Sequence, residues 1–125
     1  VSMVNHAKAG KDIVLTNYLV KEWPPKTFVA MGMDGDRCNT TDAKSGLEEV
    51  LGSGFGVSII NTDVFKKVPQ PWFMPTWTKE QGYSTEDLPF FRRARQAGYR
   101  VWLDHDASKK IAHNGMKQWH WREAV

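Results

Sequence analysis

Apolar and polar positions along the chain fall into short runs of two different periods. DIVLTNYLV, residues 12–20, is rich in β-branched and aromatic side chains, and Trp23-Pro24-Pro25 breaks it, which predicts a strand followed by a stiff connection. TFVAMGM, residues 27–33, predicts a second strand, and the polar passage 34–46 a surface loop. Residues 47–51 fit neither period. Gly52-Ser53-Gly54 leads into a third predicted strand, FGVSIIN, residues 55–61. Asn61-Thr62-Asp63 then offers an N-cap to a short helix over 64–68, halted by Pro69. QPWFMPTWTKEQG, residues 70–82, reads as a shaped loop. Beyond it, Phe90, Phe91, Ala94 and Ala97 form one face of a helix, with Arg92, Arg93, Arg95 and Gln96 on the other and Gly98 as its stop. YRVWLD, residues 99–104, alternates as a strand, and the tail 114–125 predicts an amphipathic helix carrying Met116 and Trp119. At the start, Met3, Val4 and Ala7 keep helical spacing up to Gly10. Strands and helices are mixed without an internal repeat, so residues 1–125 are expected to form a single α/β domain.

Composition narrows the function classes. Lys and Arg exceed Asp and Glu by a formal charge of +3, interleaved along the chain, which is too weak a bias to imply nucleic acid. The single cysteine, Cys38, has no second thiol for an internal disulfide and no zinc-finger spacing around it, so a reducing, cytoplasmic setting is expected. No apolar run reaches the roughly 20 residues that cross a bilayer.

Candidate chemistry centres on GYSTEDLPFF, where Glu86 and Asp87 open the arginine-bearing helix. Acids in a first turn are stabilised by its free amides and the helix dipole, with Ser84 or Thr85 available as caps. A carboxylate held at a helix start can equally take the proton of a hydroxyl that attacks a substrate.

Read in order, GSGFGVSIINTDVF, PWF, GYSTEDLPFFRRARQAGYRVWLD and the histidine of AHNG resemble the latter half of nucleotide-sugar glycosyltransferases with the A-type (GT-A) fold, in particular the inverting family 2 enzymes. AGKDIVLTNYLVKEWPPK is similar to the strand and proline-rich turn that precede this part. The resemblance implies a partial GT-A mixed sheet with flanking helices. It implies Asp87 as the base that deprotonates the acceptor hydroxyl and Glu86 as its neighbour in positioning or acceptor contact. It further implies His113 as a ligand of a divalent metal, Mn²⁺ or Mg²⁺, or as a contact to the donor diphosphate. Gly52, Ser53 and Gly54 would line the donor sugar, and Trp72, Phe73 and Trp77 would border the acceptor. A nucleotide-sugar donor and a glycan or other hydroxyl acceptor are the implied partners.

In such enzymes an Asp-x-Asp strand and a nucleotide-binding segment come first, so the chain is expected to be a truncated domain lacking that half and inactive in isolation. A sheet edge left open would favour self-association. Asp34-Gly35-Asp36 and Asp104-His105-Asp106 are expected to be turn and strand-end acids rather than the missing motif. A contrasting expectation is a non-catalytic module that holds a glycan or an anionic polymer with its tryptophans and with Arg92, Arg93, Arg95 and Arg100.

Overall fold

The computed structural model describes residues 1–80, 82–116 and 118–124. The elements are α1 (Ser2–Lys8), β1 (Ile13–Leu15), β2 (Met31–Gly32), β3 (Leu47–Gly52), β4 (Ser58–Ile60), α2 (Asp63–Lys67), β5 (Thr76–Thr78) and β6 (Gly82–Ser84). They continue with α3 (Asp87–Gln96), β7 (Val101–Asp104), α4 (His105–Ser108), β8 (Ala112–Asn114) and β9 (Gln118–His120), and a 3₁₀ turn over Trp121–Glu123. Five strands form a mixed sheet in the order β2-β3-β7-β1-β4, in which β1 and β7 run parallel and the other pairs antiparallel. The chain is thus an α/β fold with a mixed sheet and flanking helices.

Strand alternation decides what each face buries. Ile13, Leu15, Val50, Val101 and Leu103 share one face and pack with Phe90, Phe91 and Ala94 of α3 and with Val64 and Val68 at α2. Val14 and its register partner Trp102 lie on the other face, where the Lys11 ammonium stands 4.4 Å above the Trp102 ring. Helix α3 follows from its sequence: Pro89 suits the first turn, the apolar positions recur on one side, and Gly98 at φ +97 ends it. Phe90 and Phe91 are wholly buried, worth about 1.5–3 kcal/mol each.

Several predicted elements change. The strand expected over 12–20 is only β1, because the chain leaves the ladder at Thr16 and spends Asn17 on tertiary bonds: its N–H donates to Ser108 Oγ and its Oδ1 accepts from Ala30 N–H. Residues 47–51, which fitted neither period, lie in β3, an interior strand between β2 and β7. The loop expected over 70–82 contains β5, which pairs with β6. The tail helix expected over 114–125 is instead the β8–β9 hairpin followed by the 3₁₀ turn. Pairing of residues 112–114 with 118–120 replaces the helical spacing there, and Met116 is fully exposed. Among the described residues no helix is long and apolar enough to cross a membrane.

Candidate active site

Asp87 is the first residue of α3, and its two oxygens have different surroundings. Oδ1 accepts from the Thr85 hydroxyl at 2.7 Å and from the Leu88 N–H at 2.8 Å. Oδ2 faces Gly54, 3.5 Å from where a Cβ on that glycine would lie. The two oxygens of one carboxylate thus serve differently, Oδ1 in the first turn of α3 and Oδ2 beside Gly54. Glu86, in the N-cap position, makes no capping bond through its side chain, and Thr85 donates to Asp87 instead of capping the helix.

Tyr18 occupies the space beside Gly54. Its hydroxyl lies 1.9 Å from the position of a Gly54 Cβ, and its ring carbons lie 2.6 and 2.9 Å from that of Gly56. The Gly56 N–H donates to the phenol oxygen at 3.2 Å. Burial pushes the Tyr18 phenol above its usual 10.0; the Gly56 hydrogen bond opposes this, and the charges of Asp87 and Glu86 add to it. On its other side the ring stands edge-on to His113, with centroids 5.0 Å apart and planes at 72°. A cleft of about 160 Å³ is lined there by Tyr18, Gly56, Val57, Ile111 and His113. One phenol ring thus links the acidic helix start to the histidine of β8.

His113 Nδ1 lies 2.9 Å from the Leu19 carbonyl. A carbonyl only accepts, so Nδ1 carries the proton and Nε2 presents its lone pair, the form in which imidazole ligates a metal. Among the described residues, the group of side chains able to hold a metal ion does not include His113.

The other sequence-predicted residues separate into different roles. Gly52 is covered by α3, since a Cβ there would meet Phe91 at 3.0 Å and Leu88 at 3.1 Å. Its missing side chain admits a helix, which corrects the expectation of open room for a sugar. Ser53 is buried and donates to the Thr16 carbonyl, so within Gly52-Ser53-Gly54 only Gly54 faces Asp87 Oδ2. Trp72 donates from Nε1 to the Val68 carbonyl at 2.8 Å and packs edge-on against Phe65. Phe73 packs on Phe55 and Phe90 while remaining half exposed. Trp77 is 70% exposed on β5, directly opposite Tyr83, 69% exposed on β6.

The arginines are partly committed. Arg93 donates to the carbonyls of Pro69, Pro71 and Trp72, fastening the Pro-Trp-Phe turn to α3. Arg100 pairs with Glu49 at 3.1 Å. Asp34 Oδ1 accepts from Asp36 N–H within an exposed turn, as expected. Asp104 is buried, with Oδ1 capping α4 through Ala107 N–H and Oδ2 accepting from the Ser2 hydroxyl. Asp106 accepts from Gly46 N–H.

His105 has a partner set that sequence reasoning missed. Its Nε2 lies 2.7 Å from Glu48 Oε2, and ligand atoms of Cys38, Glu48 and His105 all lie within 4.8 Å of one another, a group able to hold a metal ion. Three separate segments supply these residues, so no spacing motif announces them. Tyr18 and Tyr83 were missed too; the Gly82 turn between two short alternating runs was the available signal for Tyr83.

No family model matches the sequence, and no curated protein matches it. A solved structure with a similar fold is the crystal structure of A197 from STIV, at 20% identity and a TM-score of 0.51, covering 80% of this chain and 42% of that chain. At that identity the likeness is one of fold, and the chain spans less than half the length of A197.

Proposed function

We propose that the chain is the acceptor-side part of a GT-A nucleotide-sugar glycosyltransferase, with Asp87 as its base. The observation that carries the reading is the position of Tyr18, bordered by Asp87 and Glu86 on one side and by His113 on the other. In the reaction, the acceptor O–H gives its proton to Asp87 Oδ2 as its oxygen bonds to the anomeric carbon. The bond from that carbon to the donor diphosphate breaks, and the diphosphate leaves with the electron pair. Thr85 and Leu88, both donors to Oδ1, hold the carboxylate so that Oδ2 stays turned towards Gly54 and Tyr18, and such positioning lowers the barrier. His113, through Nε2, is the residue of this chain that would hold Mn²⁺ or Mg²⁺. Such an ion supplies positive charge opposite the diphosphate. Exposed Trp77 and Tyr83 offer flat apolar rings to an acceptor sugar, on the hairpin that runs directly into Asp87.

The same aromatic pair favours a second reading, a glycan-binding module without catalysis. The test is to supply the longer protein that carries this chain together with its donor-binding half with UDP- and GDP-sugars, Mn²⁺ and a panel of glycans. Acceptor-dependent release of nucleoside diphosphate supports transfer. Glycan retention that Trp77→Ala abolishes, with no nucleotide released from any donor, supports the module and overturns transfer.

A further inference from the structure

We propose that Cys38, Glu48 and His105 form a binding site for a zinc-class transition metal, separate from Asp87 and His113, with the Lys44 ammonium as the internal cation that an arriving ion displaces. The site stands at the end of the core. Val50 and Glu48 lie on the same face of β3, so the row that begins in the apolar core ends in a carboxylate. Cys38 and His105 are 5% and 1% exposed, while Glu48 is half-buried and opens to a cleft of about 500 Å³ shared with Lys44, Asn39 and Thr41.

Sulfur, imidazole nitrogen and carboxylate oxygen are together the donor set of Zn²⁺ and of its spectroscopic substitute Co²⁺. Tetrahedral zinc, with bonds of about 2.0–2.3 Å, separates its ligand atoms by roughly 3.3–3.7 Å. The atoms here lie within 4.8 Å of one another, so a side-chain adjustment of about 1 Å, small beside a rotamer change, closes three of four positions. Water from the cleft completes the fourth.

The surroundings already carry a cation in this place. Lys44 Nζ is 2.8 Å from Glu48 Oε2 and 3.8 Å from Cys38 Sγ. The His105 Nε2 proton points at the same carboxylate oxygen. A divalent ion entering between sulfur, carboxylate and imidazole releases the thiol proton to solvent, leaves the imidazole proton on Nδ1, where it donates to Thr40 Oγ1, and drives the partly exposed Lys44 outwards. A second shell is in place as well. His105 Nδ1 lies 3.0 Å from Thr40 Oγ1, which also accepts from the Asn17 amide at 3.2 Å, and that amide donates to the Cys38 carbonyl at 2.6 Å. These bonds orient the imidazole and the cysteine backbone whether or not an ion is bound.

The experiment is a titration of the protein with Co²⁺, then Zn²⁺ in competition, read by thiolate-to-cobalt charge-transfer absorption. This readout is independent of any sugar transfer. One equivalent of Co²⁺ should produce the band and Zn²⁺ should abolish it. Cys38→Ser should lack the band, and Glu48→Gln, which leaves the core intact, should bind at least tenfold more weakly. Thr40→Val should weaken binding about 10–100-fold through the second shell. Lys44→Met should bind more tightly, and unchanged affinity in that variant removes Lys44 from the proposal. Absence of the band in the parent protein, or an equal band in Cys38→Ser, overturns the site.

Discussion

The phenol of Tyr18 stands edge-on to the imidazole of His113, 5.0 Å between ring centres, while its oxygen occupies the point where a side chain on Gly54 would begin. Asp87 Oδ2 lies beside that same point. Residues distant in sequence, three positions beyond β1, at the start of α3 and on β8, therefore share one environment, and each can be probed through the others.

Removing the Asp87 charge should be felt at Tyr18. Burial is the larger cause of its raised phenol, but the Asp87 carboxylate adds to it. In Asp87→Asn the phenol should ionise closer to its usual 10.0, as followed by ultraviolet titration with Tyr18→Phe identifying the signal. An unshifted titration would mean that the two groups do not face each other.

A methyl group at Gly54 cannot coexist with Tyr18 in place. Gly54→Ala should destabilise the fold by about 1–3 kcal/mol, the usual cost of overpacking, measured by urea unfolding. In a Tyr18→Ala background the same change should cost under about 0.5 kcal/mol, the limit for independent sites. Equal costs in both backgrounds would show that the ring is not what fills the space.

Arg93 should be worth more than a surface arginine. Its three carbonyl partners hold the turn that carries Trp72 and Phe73. Arg93→Met should cost about 1.5–3 kcal/mol, the range for hydrogen bonds to a charged group, and should shift tryptophan emission. A loss below about 0.5 kcal/mol, typical of plain surface changes, would contradict this role.

Stability should fall on both sides of neutral pH because of the group around Cys38. Burial alone would raise the Glu48 carboxyl, yet hydrogen bonds from Lys44 and His105 outweigh it and hold Glu48 below its usual 4.5. Its contribution is therefore complete above 4.5 and is lost as pH falls through the lower folded value. Burial, and then the charge of Glu48, pushes the Cys38 thiol above its usual 9.0. That contribution is complete below 9.0 and is lost as pH rises through the folded value. Urea midpoints across pH should show both limbs, with Glu48→Gln flattening the acid one and Cys38→Ser the alkaline one. Limbs that keep their slopes in these variants would refute the assignment.

Local signals carried much of the fold. α3 was legible because Phe90, Phe91 and Ala94 keep helical spacing between Pro89 and Gly98, and β7 because it alternates. β3 was not, since Leu47, Glu48 and Glu49 are half-buried on both faces before Val50 enters the core, and the strand's position depends on the strands beside it. The tail misled because the spacing of Met116 and Trp119 suits a helix while residues 112–114 pair with 118–120 as a hairpin. Within the site, Asp87 and His113 stood out as chemistry-bearing residues in order along the chain. Tyr18 did not, because its role comes from two glycines more than thirty residues away that leave room for its ring. The grouping of Cys38 with Glu48 and His105 depends likewise on tertiary placement and leaves no pattern in the sequence.

The most direct measurement is the turnover of nucleotide-sugar donors, with Mn²⁺ and a hydroxyl acceptor, by the protein carrying this chain and by its Asp87→Asn variant. Loss of the general base should lower kcat by about 10²–10⁴-fold, with the fold unchanged by circular dichroism. Turnover by Asp87→Asn equal to that of the parent would contradict the assignment of Asp87 as the base.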